Sequence, residues 1–429
     1  MTPPRALAEG WFRQTLAALA PRRLVREQAP ADAAYARVTV LALGKAAGPM
    51  LRGWLDAAPP ALLARTEAWL CAPAGAPELD AAAWRGCGLP VHRFGGGHPE
   101  PNRDSQRAAE AMLAAARPLA VWSPTSGGRA ALLVALLSGG GSALAELPRD
   151  GDLERCRRLH RALVSSGAPI GEINLVRKHL SAFKGGWLAA AASGAEQVSY
   201  ILSDVPGADL GAVASGPTCP DASTRAEAEA ALWRWLPQEA AAWAPSLAET
   251  PKPGDAAFAN ARWVRLAGND DACAALARLA RAGGCAPVVV DHAADEWTSE
   301  DAAPYLVARW RRLRSGHARP CLIAGGEVRV RVPRQGAGRG GRNCDLALRV
   351  AMRLAGERFC FLSAGTDGVD GASGVAGACV DGDTLARAAG RSAEAALAGF
   401  DSAAFLDAAG DLVRTGPTGN NLRDLRIFL

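Results

Sequence analysis

Lysine is nearly missing from this chain. Of 48 basic residues only Lys45, Lys178, Lys184 and Lys252 are lysine, and the rest are arginine. Alanine is abundant, as a bias towards GC-rich codons would produce, and under such a bias arginine replaces surface lysine easily. It cannot replace a compact ammonium at a phosphate site without changing the geometry, so the surviving lysines mark candidate chemistry. Three of them fall in glycine-bearing stretches around LALGKAAG, VRKHLS and FKGGWLA. Other absences narrow the function further. The ten cysteines are scattered with no CxxC pair, and none of the six histidines stands in an HExxH pattern. A protein-built zinc site and a disulfide framework are therefore not expected, and the thiols should be reduced and mostly buried. No basic block accompanies the net charge of +5, which argues against nucleic acid as the main partner. The N-terminal residues carry no apolar signal core. The longest apolar run, Ala130 to Leu137, falls far short of the ~20 residues that span a bilayer. A soluble, cytoplasmic protein with no membrane partner is expected.

What is present is ordinary for a globular protein: 49% hydrophobic and 21% charged residues over 429 positions, enough for two or three domains. The first stretch has the pattern of an amphipathic helix with a proline-containing exit. RVTVLALGK, AALLVALLSGGGS and EQVSYILSD then each read as an apolar strand running into a turn, with helical spacing in DLERCRRLHRALVSSG and NLVRKHLSAFKGGWLAAAAS between them. Apolar runs separated by helices indicate a parallel α/β sheet buried on both faces. A helical Ala/Trp/Glu-rich stretch from Pro220 to Asp255 closes with TPKPGD, the best candidate boundary. RWVRLAGND, APVVVDHA, CLIAGGEVRVRV and RFCFLSAG supply a second set of strands. The expected division is a parallel-sheet domain over 1–250 and a smaller α/β domain over 251–429.

Several glycine-rich segments fall at strand ends, where open α/β sheets bind ligands. SGGGS (Ser138, Gly139, Gly140, Gly141, Ser142) lets the backbone approach an anion. GAGRGGRN formally satisfies G-x-G-x-x-G through Gly336, Gly338 and Gly341. The alternating EVRVRV before it suits an exposed strand, and Arg339 and Arg342 suit a bidentate clamp on phosphate or carboxylate. Lys45 follows a glycine at a strand end without completing a P-loop. Asp204, Asp209, Asp367 and Asp370 stand on turns after apolar runs, where carboxylates hold Mg²⁺ or take a hydroxyl proton. His98 and His179 are acid–base candidates, although a helix-borne His179 suits a packed residue better. Three readings stay open at this point: phosphoryl transfer, an NAD-type oxidoreductase resting on the Gly336 loop, and a non-catalytic anion-binding module.

The ordered series GKAAGPM, GGGHPEPNRDS, LSGGGSALAELP, NLVRKHLSAFKGGWLA, LSDVPGADLGAVASGPT, GGEVRVRVPRQGAGRGGRN, LSAGTDGVDGASGVAGACVD and GDLVRTGPTGNNLRDL resembles the glycerate 2-kinase family with a C-terminal MOFRL domain. The resemblance runs from about Val38 to Leu429. It implies a Rossmann-like N-terminal domain, a smaller α/β MOFRL-type C-terminal domain, and an active site in the cleft between them. It implies transfer of the γ-phosphate of ATP to the 2-hydroxyl of D-glycerate, with Mg²⁺. Some relatives are called hydroxypyruvate reductases, which keeps an NAD(P)-dependent reductase as the alternative. The family's active-site lysine corresponds to Lys45 and its arginine to Arg342, with Asp204 as a catalytic carboxylate. SGGGS, Lys178, Lys184, Gly338, Gly340, Gly341, Asn343 and Asp367 would bind phosphate or substrate, and Asp204 and Asp367 would hold magnesium. The partners expected are D-glycerate and ATP, and a homodimer is compatible with the resemblance. Two departures stand out: Cys344–Asp345 where relatives read Gln-Glu, and Asn420 where they read Thr.

Overall fold

The longest apolar run becomes a strand with every residue buried, Ala131–Ser138. The computed structural model describes residues 3–29, 35–121, 130–205, 207, 209–333 and 335–429. The chain divides into two units, Pro21–Leu266 and Met1–Ala20 with Ala267–Leu429.

In the unit Pro21–Leu266 the strands are β1 (Arg37–Leu43), β2 (Thr66–Pro73), β3 (Val91–Gly96), β4 (Ala131–Ser138), β5 (Glu196–Leu202) and β6 (Ala261–Ala267). They lie in the order β3-β2-β1-β4-β5-β6, with the β3–β2, β2–β1, β1–β4 and β4–β5 pairs all parallel. This is the order of a doubly wound nucleotide-binding sheet, and it reverses direction between β1 and β4. The expected parallel α/β sheet is therefore present. Leu41, Leu43, Leu133, Leu137 and Ile201 pack on one side in a common core with Ala108, Met112 and Leu113 of the helix Arg103–Ala116.

The other unit holds β7 (Val288–Asp291), β8 (Cys321–Gly326), β9 (Cys360–Gly365), β10 (Gly377–Asp381), β11 (Leu412–Val413) and β12 (Asp424–Phe428). Their order is β11-β10-β9-β12-β8-β7, mixed in direction: β7–β8 is parallel, whereas β8–β12, β12–β9, β9–β10 and β10–β11 are antiparallel. The helices Ser299–Arg314 and Arg342–Arg353 bury Leu306, Trp310, Leu346 and Val350 with Phe361 and Phe428 of the sheet.

The division differs from the expected 250/251 boundary at both ends. After TPKPGD the chain makes one more strand of the first sheet: β6 lies beside β5, and Trp263 donates its indole N–H to Thr218 O at 3.0 Å. RWVRLA thus belongs with the preceding residues. The first helix, Pro4–Ala18, packs instead with the second unit. It buries Ala8, Trp11 and Phe12, Gly283 leaves room for the Trp11 ring, and Arg5 pairs with Asp411. The EVRVRV segment also departs from expectation. β8 stops at Gly326, and beyond it only an isolated bridge at Arg329 remains among the described residues. Glu327 and Arg329 are drawn into ion pairs with Arg342 and Glu296, so the Val/Arg alternation reflects side-chain pairing and not a strand.

Candidate active site

Parallel pairing of β1 with β4 sets Leu43 beside Leu137, so Gly44–Lys45 and Ser138–Gly139 leave the sheet together. That point is where the strand order reverses, the place at which such sheets bind ligands. Gly44 is required there. Its φ is +124°, and a Cβ would lie 2.2 Å from Ser138 Oγ. The Ser138 hydroxyl accepts the Ala46 N–H at 3.0 Å, and Lys45 N donates to Gly139 O at 2.9 Å. These bonds tie the lysine turn to the triple-glycine turn. A Cβ on Gly140 would sit 3.2 Å from Lys45 Cγ and 3.1 Å from the His98 ring, so lysine, histidine and glycine backbone converge. The lysine is half-buried.

A second element backs this turn. Ala214, Ser215 and Gly216 take φ of 53°, 58° and 59°, a run that L residues adopt only when surroundings enforce it. Ser215 thereby places its hydroxyl 2.8 Å from that of Ser142 and 3.5 Å from Asn174 Oδ1. Sequence reasoning did not single out Ser215. The only signal was a Ser-Gly-Pro in a motif already noted. A cleft of about 640 Å³ lies alongside, bordered by Asn174, Lys178, Asp209, Asp221 and Arg234. Lys178 donates to Asp221 at 3.3 Å. Burial alone would raise the Asp221 carboxyl, but the Lys178 ammonium and hydrogen bonds from Ser223 hold it below its ordinary value. Asp204 is half-buried just past β5, and Asp209 accepts the Gly211 N–H at 2.9 Å.

Lys184 does not present itself to a ligand. It is wholly buried and bonded to Glu146, itself 1% exposed. Burial pushes its ammonium down in pKa, against the pull of Glu146. Glu146, Cys156 and His160 form the one metal-like cluster among the described residues, yet the carboxylate is already neutralised by Lys184 and faces Arg177 as well. Two cations beside the only charged ligand disfavour a metal there. His179 is packed as expected: its ring nitrogens lie 2.7 Å from Ala248 O and 3.2 Å from Ser223 Oγ, and burial lowers its pKa.

In the other unit, the helix Arg342–Arg353 starts directly after GAGRGG. Arg342 makes a bidentate pair with Asp424, at 2.7 and 2.8 Å, and meets Glu327 at 2.8 Å. Burial would lower its pKa, but these carboxylates raise it overall. Burial would raise the Asp424 carboxyl, which Arg342 and Arg426 nonetheless hold down. Arg342 borders a cleft of about 380 Å³ with Glu296, Glu327 and Arg423. These bonds run through Nε and Nη2, so Nη1 is the edge it can offer a ligand. Asp424, Glu327 and Arg423 were invisible to sequence reasoning because the pairing is set by strand order and not by local pattern; Arg342 and Asp424 stand 82 positions apart.

Three glycines of GAGRGG have packing reasons, whereas Gly336 has open space around it and a φ of +70°. A Cβ on Gly338 would meet Asp401 at 2.6 Å, on Gly340 the Phe400 carbonyl at 2.5 Å, and on Gly341 the Asp370 carboxyl at 2.2 Å. Asp370 accepts the N–H groups of Asn343 at 3.0 Å and Cys344 at 2.8 Å. The helix start expected to bind phosphate through Gly338, Gly340, Gly341 and Asn343 thus already holds an anion, the protein's own carboxylate. A pyrophosphate would have to displace it, which removes the basis for the dinucleotide reading. Cys344 and Asp345 both point inward, Asp345 pairing with Arg349 at 2.6 Å, so the Gln-Glu departure lies in the packing. Asn420 donates to Leu19 O at 3.0 Å. Asp367 is half-buried after β9, and its Oδ1 accepts the Val369 N–H at 3.0 Å.

Burial raises the Asp370 carboxyl to about 6, against the pull of its two N–H donors. An acid whose pKa is higher folded than unfolded binds more protons in the native state. Its contribution to stability is therefore fully present below about pH 4 and lost as pH rises through about 6. The difference is on the order of 3 kcal/mol. Urea unfolding of wild type and Asp370→Asn across this range should show wild type losing stability relative to the variant as pH rises. A constant difference would refute the raised pKa.

Comparison with known proteins agrees with this geometry. Residues 7–244 match the family described as a domain of unknown function, DUF4147, and residues 320–424 match the MOFRL family. A D-glycerate 2-kinase of Thermotoga maritima is 40% identical over 305 residues, covering 68% of this chain and 71% of that protein. A relative in Agrobacterium vitis, with the provisional name hydroxypyruvate reductase, is 41% identical over 77% of this chain and 76% of its own. The crystal structure of a glycerate kinase from Thermotoga maritima superposes with a TM-score of 0.82 at 31% identity, covering 99% of each chain. The chain belongs to the glycerate 2-kinase family.

Proposed function

We propose that this protein is a glycerate 2-kinase, moving the γ-phosphoryl group of ATP to the 2-hydroxyl of D-glycerate to give 2-phosphoglycerate and ADP. The observation that carries the reading is Lys45 joined to the triple-glycine turn at the reversal point of the sheet. In phosphoryl transfer the attacking hydroxyl oxygen and the departing ADP oxygen share negative charge with the phosphoryl oxygens, so catalysis rests mainly on positioned cations and N–H dipoles. Lys45 supplies a compact ammonium, and the glycine backbone of residues 139–141 lets phosphate oxygens approach. Ser142, Ser215 and Asn174 form a polar chain suited to hydroxyls of a small substrate. Arg342, kept charged by its carboxylates, offers Nη1 to a carboxylate or phosphate.

Magnesium fits this donor set only in part. It is commonly held by one or two carboxylates together with substrate phosphates. Asp204 and Asp367 each suit that role, and neither belongs to a three-ligand cluster among the described residues. Bound with the nucleotide, the ion would offset charge on the phosphates.

A paired assay tests the reading: ATP, Mg²⁺ and D-glycerate with the product followed by phosphorus NMR, beside NAD(P)H with hydroxypyruvate. 2-Phosphoglycerate is the expected product. Nicotinamide oxidation without it would replace the kinase by the reductase.

A further inference from the structure

The Arg342–Asp424 pair occupies one end of the second sheet, and the opposite end is basic as well. β12 runs antiparallel to both β8 and β9, so those two strands start together where β12 finishes. Phe428 stands opposite Leu322 and Phe361 there, whereas Asp424 stands opposite Gly326 and Gly365 at the other end. The chain enters β8 through HARP and β9 through ERF, which sets Arg319 and Arg358 just before the two strand starts. The helix Ser299–Arg314 adds a last turn with Arg311, Arg312 and Arg314.

A cavity of about 850 Å³ lies at this end. Its wall includes Arg314, His317, Arg319 and Arg358 and no aspartate or glutamate side chain. It is larger than the clefts beside Lys178 and Arg342 and shares no wall residue with either. The charges around it are unbalanced. Glu357 is shared between Arg311 and Arg314, lying 3.1 Å from the latter. Among the described residues Arg319 and Arg358 have no carboxylate partner. Arg319 is nonetheless held in place: its Nη2 donates to Gly283 O at 3.0 Å, and a Cβ on Gly284 would lie 3.0 Å from its Nη1. Ala286 N donates to Arg319 O at 2.8 Å, which fixes its backbone. Trp310, Phe359 and Leu7 give the wall an apolar part. Trp310 is fixed in turn, stacked on Phe428 with ring centroids 5.3 Å apart.

A guanidinium is a planar fork that matches phosphate oxygens two at a time and is more weakly hydrated than an ammonium. Two such groups without carboxylates, beside an apolar wall, suit an anion that carries a flat apolar body. The volume is in the usual range of small-molecule sites, roughly 300–1,000 Å³. We infer that this cavity is a second ligand site, which takes a phosphomonoester attached to a flat apolar group. Arg319 and Arg358 hold the phosphate, and Trp310 and Phe359 meet the apolar group. Arg314 is already committed to Glu357 and to the Arg358 carbonyl at 3.2 Å, so it positions the loop before β9 and leaves the phosphate to the other two. The inference is independent of the kinase reading, since none of these residues belongs to the candidate active site.

Isothermal titration calorimetry of the full-length protein tests the site, with 1-naphthyl phosphate, inorganic phosphate and 1-naphthol as probes. Naphthyl phosphate should bind with an affinity that Lys45→Ala leaves unchanged. Arg358→Ala should lower that affinity at least about tenfold, the scale of one lost hydrogen bond to a charged group. The Arg358 side chain is exposed and makes no hydrogen bond among the described residues, so its removal leaves the fold intact. Arg319→Ala should have a similar effect, with circular dichroism checking the fold because Gly283 O loses its donor. Inorganic phosphate should bind more weakly with the same dependence on Arg358, and naphthol should give no measurable heat. The proposal is overturned if naphthyl phosphate does not bind, if Arg358→Ala binds it as wild type does, if Lys45→Ala abolishes the binding, or if inorganic phosphate binds as tightly as the ester.

Discussion

Replacing Lys45 by alanine should lower kcat for D-glycerate phosphorylation by about 10²–10³-fold, the usual cost of deleting one positioned charge-stabilising donor. The thermal midpoint should hardly move. The lysine side chain is half-buried, and the turn around it is held by backbone groups and by Ser138, which the substitution leaves in place. Lys45→Arg should recover little activity, because a planar fork does not reproduce the geometry of a compact ammonium on a side chain that already packs close to Gly140. Steady-state kinetics beside calorimetry check both statements. A variant that stays folded with kcat within a factor of about three of wild type would remove Lys45 from the reaction, since one positioned donor contributes far more.

Lys184→Met should instead destabilise the protein by about 3–5 kcal/mol, since it leaves the Glu146 carboxylate buried with its closest cation gone. Adding Glu146→Gln in the same chain should return a large part of that loss, because an amide carries no orphaned charge. Urea unfolding of the two single variants and the double variant measures the coupling. Activity distinguishes the roles. If Lys184 acts only by holding the chain, kcat returns with stability in the double variant, whereas a lysine that touched phosphate would stay missed. Its consequence for the site is direct. Glu146 follows the short helix Gly141–Leu144 at the end of the glycine turn, and Lys184 precedes Gly185, whose N–H donates to Ser215 O at 3.0 Å. The buried pair therefore joins the two segments that bring Ser142 and Ser215 together.

Both lysines stand out in the sequence for the same reason, and their surroundings show how far that reason reaches. In an arginine-rich chain a retained lysine marks a place where a compact ammonium is needed. It does not say whether the partner is a phosphate or a carboxylate of the same chain. Lys184 has Glu146, Lys178 has Asp221, and Lys252 has Thr250 at 2.9 Å with the Ser223 carbonyl. The glycines of GAGRGG misled for a related reason. Room for a ligand and room for Asp401, Phe400 and Asp370 leave the same trace in sequence.

The strands were legible where burial is two-sided. β1, β4, β5 and β9 read as near-continuous apolar runs, and each formed. β6 has only its last residue buried, and a half-exposed strand can be assigned to either neighbouring sheet from pattern alone. The partners of Arg342 were not legible, since nothing local distinguishes the aspartate of LRDL from any other until β12 lies between β8 and β9.

The placement of the helix Pro4–Ala18 has a consequence for how the protein is made. A ribosome delivers this helix before Pro21–Leu266, but its packing surface, including Gly283 and Asp411, is synthesised only afterwards. Trp11 and Phe12 must wait through the production of an entire sheet before they have anywhere to go. Throughout that synthesis the nascent chain carries a helix whose apolar face, with Trp11 and Phe12, belongs to residues not yet translated. Such a segment is a natural point of engagement for chaperones during synthesis.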